Sequence, residues 1–127
     1  MDADKFKAAY TASRNGTDSF YRHPLVRRFM FSDGVRELAD MGCHWMLDII
    51  ATEFVDFMRK HLDQPFGVVT VHVKQSAARI VLSLTDDLEH YVRVVSWTTM
   101  PDGDWKFFLA NDDGQGQLYS FILPSEH

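Results

Sequence analysis

The sequence predicts an α+β fold, with N-terminal helices packed on one face of a C-terminal antiparallel five-stranded meander sheet. Three observations carry this expectation. Apolar residues recur at helical spacing up to about residue 62, and after it they alternate one by one. The turn-forming stretches of the second half are short, and short turns join antiparallel strands, because a parallel pair needs a long crossover. The length of 127 residues, with 46% hydrophobic and 24% charged side chains, suits a single domain over 1–127 that needs no staples.

The elements follow in order. Residues 2–14 read as a helix, with Asp2 or Asp4 as cap and Phe6, Ala9 and Tyr10 on one face. Asn15-Gly16 is a turn signal that ends it. Pro24 splits the segment 20–32, leaving 25–31 as a short extended piece. Asp33-Gly34 opens a helix over 35–41, closed by Gly42. A long helix over 44–62 has Met46, Ile50, Phe54, Phe57 and Met58 on its apolar side, widened by Trp45 and Ile49. Its polar stripe is His44, Asp48, Thr52, Asp56 and Arg59, and Pro65 stops it. Strands are expected at 68–73, 79–84, 91–97, 105–110 and 118–123. The turns between them are 75–77, 85–89, 101–104 and 111–116.

Composition limits the function classes. The net charge of −5 is split, with seven Lys/Arg against four Asp/Glu in residues 1–36 and six against fourteen in 37–127. An acidic chain is poorly suited to neutralising phosphates along a nucleic acid and better suited to a basic partner. One cysteine, Cys43, allows no intrachain disulfide and favours a reducing compartment. The N-terminus has acids early and no signal-like apolar core, and no apolar run spans a bilayer, so a cytoplasmic location is expected.

No side-chain constellation specifies a reaction. Cys43 and His44 are adjacent on a helix start and diverge, while His44 and Asp48 face each other at i,i+4. The six histidines are scattered without metal-ligand spacing, so neither a metal nor a cofactor is expected. The glycines of Gly114-Gln115-Gly116 belong to a hairpin turn, not a phosphate loop. Arg22, His23, Arg27 and Arg28, beside Tyr21 and Phe29, form a basic cluster that could bind phosphate but is expected to pair with carboxylates of the acidic portion. In a meander, alternate turns share one end of the sheet. Asp86, Asp87 and Glu89 of the second turn would then join Asp112 and Asp113 of the fourth as an acidic docking surface. The last two strands are apolar on both faces. One face packs on the long helix; the other needs the N-terminal segment, a partner or a second copy, and a homodimer is one expected answer.

Four phrases taken together carry a resemblance. They are Phe20-Tyr21-Arg22-His23-Pro24, Ser32-Asp33-Gly34 with Leu38-Ala39 after it, Trp45-Met46-Leu47-Asp48-Ile49-Ile50, and Leu123-Pro124-Ser125-Glu126. From about residue 16 onward the chain resembles an uncharacterised family of small bacterial proteins, often borne on plasmids, phages or integrated elements. That family more often has Trp at position 20 and Tyr at position 44 and at the C-terminus. The resemblance implies a setting and no catalytic residues.

The leading expectation is a non-enzymatic binding protein of a mobile element or phage that engages a basic host or phage protein. Its sharpest form is an anti-CRISPR-like inhibitor of a nucleic-acid-handling defence complex. The alternatives are a small enzyme with a pocket around Arg22, His23 and Asp33, and a dimeric structural or regulatory module.

Overall fold

The computed structural model describes residues 1–14, 16–84 and 88–127, and it is an α+β structure built on one mixed sheet. Helix α1 (Ala3–Thr11) comes first, followed by strands β1 (Phe20–Arg22) and β2 (Phe29–Ser32). Helix α2 (Asp33–Leu38) runs into a π-helical turn over Ala39–Cys43. Helices α3 (His44–Ile49) and α4 (Val55–Arg59) are then joined through a second π turn, Ile50–Phe54. Strands β3 (Phe66–Lys74), β4 (Ala77–Ser83), β5 (Glu89–Val95), β6 (Gly103–Asn111) and β7 (Tyr119–Ile122) complete the sheet, and a 3₁₀ turn at Pro124–Glu126 ends the chain.

The sheet has seven strands in the order β1-β2-β7-β6-β3-β4-β5, so the five-stranded antiparallel meander is corrected in two ways. First, β6 pairs with β3 instead of β5. Pro101-Asp102-Gly103 is not a hairpin turn but the end of a longer bridge, 96–102, which wraps the β3–β4 hairpin. Thr98 N–H donates to the Ser76 carbonyl at 2.7 Å and Gln75 N–H to Asp102 Oδ1 at 3.0 Å. The hairpin itself turns on Gln75 and Ser76, both at positive φ, the mirror-image turn that matches strand twist. Second, the segment around Pro24 supplies two strands. β1 pairs antiparallel with β2, and β2 runs parallel to β7, with Phe29 opposite Tyr119 and Phe31 opposite Phe121. The parallel partners are far apart in sequence, and helices α2–α4 together with strands β3–β6 lie between them in the chain.

The helices read from periodicity are present. Ser32 caps α2 and accepts from Val35 N–H. Gly42, at φ 123°, takes the left-handed conformation that a side chain resists, and the chain bends there before α3. One face of α3 and α4 buries Met46, Ile50, Phe54 and Met58 against Val69, Val71, Ile80, Leu82, Phe107 and Leu109 of the sheet. Burying each such side chain contributes about 1.5–3 kcal/mol. α1 lies on the same side, with Phe6 and Tyr10 edge-on to Trp105. Its Tyr10 hydroxyl donates to the Lys106 carbonyl and accepts from Lys106 N–H, both at 2.9 Å, which caps the length of β6 that the short β7 leaves unpaired. On the other face, Phe108 is half-buried beside Phe66 and His127. Among the described residues no helix is long and apolar enough to cross a membrane.

The C-terminal turn clasps β2. Glu126 is buried, and its carboxylate accepts from the Ser32 hydroxyl at 2.5 Å, Gly34 N–H at 3.0 Å and Leu123 N–H at 2.9 Å. Gly34 is required by this approach, because a Cβ there would lie 2.7 Å from Leu123 Cδ1 and 2.9 Å from Glu126 Cδ. Replacing Glu126 by Ala strands three buried donors. The expected loss is about 3 kcal/mol in urea denaturation, and Gly34→Ala should also destabilise through the clash.

Candidate anion-binding site

The β1–β2 loop, the outer face of α4 and the β6–β7 turn meet at one end of the sheet. They form an open cavity of about 640 Å³ lined by Arg22, Leu25, Val26, Arg27, Arg28, Ala51, Thr52, Val55, Asp56, Arg59 and Gln117. Its helical wall is the polar stripe of the long helix: Thr52, Asp56 and Arg59 lie on the same side, and the π turn at Ile50–Phe54 contributes Ala51 as well as Thr52. The opposite wall is the loop after β1.

His23 shapes that loop. It is buried, and its Nδ1 accepts from Leu25 N–H at 3.1 Å and Val26 N–H at 3.0 Å. Nδ1 is therefore the acceptor nitrogen, Nε2 carries the proton, and Nε2 donates to Asp48 Oδ1 at 2.8 Å. A single imidazole thus folds the tight loop and ties it to the helix.

The arginines divide into two sets. The chain has eight. Arg14, Arg36, Arg79 and Arg93 each pair with a carboxylate: Glu37, Asp40, Glu89 and Glu53. Arg22, Arg27, Arg28 and Arg59 all line the cavity, and none has an ion pair among the described residues. The expected pairing of the cluster's arginines with the acidic portion is therefore not seen among the described residues, and it is His23 that meets a carboxylate, that of Asp48. Arg59 Nε donates to the Gly116 carbonyl at 3.1 Å, which holds its side chain against the β6–β7 turn. The one carboxylate of the lining, Asp56, pairs with Lys60 at 3.3 Å.

The other sequence-nominated residues are dispersed. Arg22 reaches the cavity and His23 supports it, but Asp33 lies elsewhere. Its carboxylate accepts from Tyr21, Thr17 and the N–H groups of Asp18 and Ser19. Desolvation pushes its pKa up, and these bonds outweigh that and hold it below the usual carboxylate range. The three residues thus do not form one pocket. Glu89, Asp112 and Asp113 do share one end of the sheet, but β3 and β4 intervene, spacing the two turns by roughly 14 Å of sheet width. Asp86 and Asp87 lie outside the described residues. Glu89 pairs with Arg79, Asp112 accepts from the Ser120 hydroxyl at 3.0 Å, and Asp113 accepts from Gln115 N–H at 2.9 Å. His44 pairs with Asp40 instead of Asp48. Cys43 is buried, burial pushes its thiol up to about 12, and it donates to the Leu38 carbonyl, so it is no thiolate. Among the described residues no three His, Cys, Asp or Glu side chains gather to hold a metal ion.

Sequence reasoning did not reach Thr52, Asp56, Arg59 or Gln117 as site residues. Arg59 reads as part of the polar stripe of the long helix, and only the fold shows that it shares a cavity with Arg22, Arg27 and Arg28.

Residues 8–127 match the model of a family described as "Family of unknown function (DUF6876)". The chain belongs to that family. No curated protein and no solved structure matches it. Membership of DUF6876 brings no reaction and no ligand, so the chemistry rests on the cavity itself.

Replacing His23 by Ala removes the acceptor for Leu25 and Val26. Hydrogen exchange at those two amides should accelerate, with a stability loss of about 1–3 kcal/mol. Unchanged exchange there would mean that the loop is held by something other than the imidazole.

Proposed function

We propose that this protein is a binding module whose ligand is an anion seated in the arginine cavity. One observation carries the reading: the four arginines without carboxylate partners among the described residues are the four that line one cavity. An unpaired guanidinium is well solvated at an open surface, but crowding four of them raises mutual repulsion. An anion relieves that repulsion and gains charge-assisted hydrogen bonds. The acidic remainder of the molecule makes the cavity a local positive focus on a negative body. Binding is favoured over catalysis because the lining offers positive charge and an apolar floor, with its lone carboxylate engaged by Lys60.

A second reading keeps the acidic end as a docking surface. Its support is the common end shared by Glu89, Asp112 and Asp113. A basic host or phage protein would bind there, and the chain would serve a plasmid or phage as an accessory protein, in its sharpest form an inhibitor of a host nucleic-acid-handling defence complex. The internal hydrogen bonds of those three residues make this the weaker reading, since each already has a local role.

Arg27 is exposed, so its reversal leaves the core alone. Titration calorimetry with inorganic phosphate at low salt should show Arg27→Glu at least tenfold weaker than the wild type, with Arg79→Gln unchanged. Wild-type affinity should fall as sodium chloride rises through the range where screening sets in. Equal losses in both variants would contradict a localised site.

A further inference from the structure

Behind the arginines lies a layer of donors that nothing among the described residues satisfies. Tyr119 is fully buried and its hydroxyl has no hydrogen-bond partner. Asn111 is 6% exposed and its Nδ2 is likewise unpartnered, as is the solvent-shielded Nη1 of Arg28. These groups converge on the β6–β7 turn. Asn111 and Tyr119 face each other across the two strands, and Asn111 Oδ1 accepts from Gly116 N–H at 3.1 Å. A Cβ on Gly116 would lie 2.7 Å from Leu62 Cδ2, 3.4 Å from the Tyr119 hydroxyl and 3.5 Å from Arg59 Cγ, so the phenol and the Arg59 stem pack against the same glycine. Tyr119 N–H donates to the Arg28 carbonyl at 2.7 Å, which fixes Arg28 beside it. Burying unpaired donors is unfavourable, and an occupant that completes them supplies acceptors.

We propose that the cavity takes a phosphate monoester carried on a compact apolar or ring-shaped body, with the phosphoryl group innermost between Arg28 and Arg59 and the Tyr119 hydroxyl as a further donor. The proposal rests on the anion-binding reading above and narrows it. Charge favours a phosphoryl dianion over a carboxylate, because four guanidiniums face one carboxylate that Lys60 already pairs. Direction favours it too. The guanidiniums arrive from β1, from the loop before β2 and from the end of α4, which suits a tetrahedral group with several oxygens. A planar carboxylate is satisfied by the fork of one arginine.

The size and lining of the cavity define the body. About 640 Å³ is far more than a bare phosphate needs and falls within the usual range for small-molecule sites. Its apolar floor is Val26, Ala51 and Val55, with Leu25 at the rim, 86% exposed and without packing of its own. An aromatic ring or a nucleoside would cover this floor, and Thr52 and Gln117 offer polar contacts to its edge.

The test is titration calorimetry at low ionic strength with inorganic phosphate, phenyl phosphate, a nucleoside 5′-monophosphate and benzoate. Wild type, Leu25→Ser and Tyr119→Phe are compared, with folding checked by circular dichroism. At least one ester should bind ten times more tightly than inorganic phosphate, and phenyl phosphate ten times more tightly than benzoate. The tighter of the two esters identifies the source of the phosphoryl group. Leu25→Ser should erase most of the ester's advantage over inorganic phosphate. Tyr119→Phe should weaken the esters several-fold while leaving thermal stability unchanged or raised, because a purely structural hydroxyl would do the reverse. Benzoate binding as well as phenyl phosphate would overturn the phosphoryl assignment and leave the anion reading standing. Inorganic phosphate binding as tightly as both esters would overturn the body. Absence of binding by every probe would overturn both readings, leaving water as the occupant behind the arginines.

Discussion

The parallel pairing of β2 with β7 is the constraint on which the rest of this structure depends. It sets Phe29 against Tyr119 and so places Arg28 at the mouth of the β6–β7 turn. It also fixes where the β1–β2 loop can go, which is over the outer face of α4. Without that pairing, Arg22, Arg27 and Arg28 would sit on a terminal arm with no fixed relation to Arg59. The pairing is only three residues long, and a short parallel ladder is weakly held by its own hydrogen bonds. It is secured from both sides. The rings of Phe29 and Phe31 pack near Phe121, and the Glu126 carboxylate ties Ser32 and Gly34 to the C-terminal turn.

The polar interactions then fall into two kinds. Most serve to hold backbone: Glu126 at the end of β2, His23 in the loop, Asp33 on the segment before β1, Asp113 in the last turn. In each, a side chain accepts from main-chain N–H groups that no helix or strand would satisfy. The cavity is of the other kind. There the cationic side chains outnumber the carboxylates, and behind the lining the buried phenol of Tyr119, its pKa raised by burial, drawn down by Arg59 and Arg28 and pushed up again by Asp113, stays protonated. Of the five buried side-chain atoms without a partner among the described residues, three (Arg28 Nη1, Asn111 Nδ2 and the Tyr119 hydroxyl) lie around the β6–β7 turn, while Arg14 Nε and Ser125 Oγ lie apart from the cavity lining.

The sequence made the helices and most strands legible because each buries a single face, and a single buried face imposes its period. Met46, Ile50, Phe54 and Met58 give the long helix, and Val69, Val71 and Val73 give β3. Order within the sheet is a different matter. Nothing local distinguishes a β6 that pairs with β5 from one that pairs with β3, because both partners alternate. The bridge 96–102 resembles a turn as long as only Pro101-Asp102-Gly103 is considered. Strands β1 and β2 were obscured by Pro24, and their parallel partner lies roughly ninety residues away in the chain. The cavity inherits that difficulty. Arg22, Arg27 and Arg28 stand out as a basic cluster, but Arg59 and Tyr119 join them only through the β2–β7 register, and Asp33, close in sequence, is drawn off to cap another segment.

The most direct test of the account is an NMR titration of the arginine Nε–Hε resonances with inorganic phosphate, since every arginine side chain reports separately. The account predicts that Arg22, Arg27, Arg28 and Arg59 shift along one saturable curve, while the carboxylate-paired Arg14, Arg36, Arg79 and Arg93 stay in place. Uniform small shifts at all eight, or movement confined to the paired set, would show that phosphate only screens the surface and that the cavity is not an anion site.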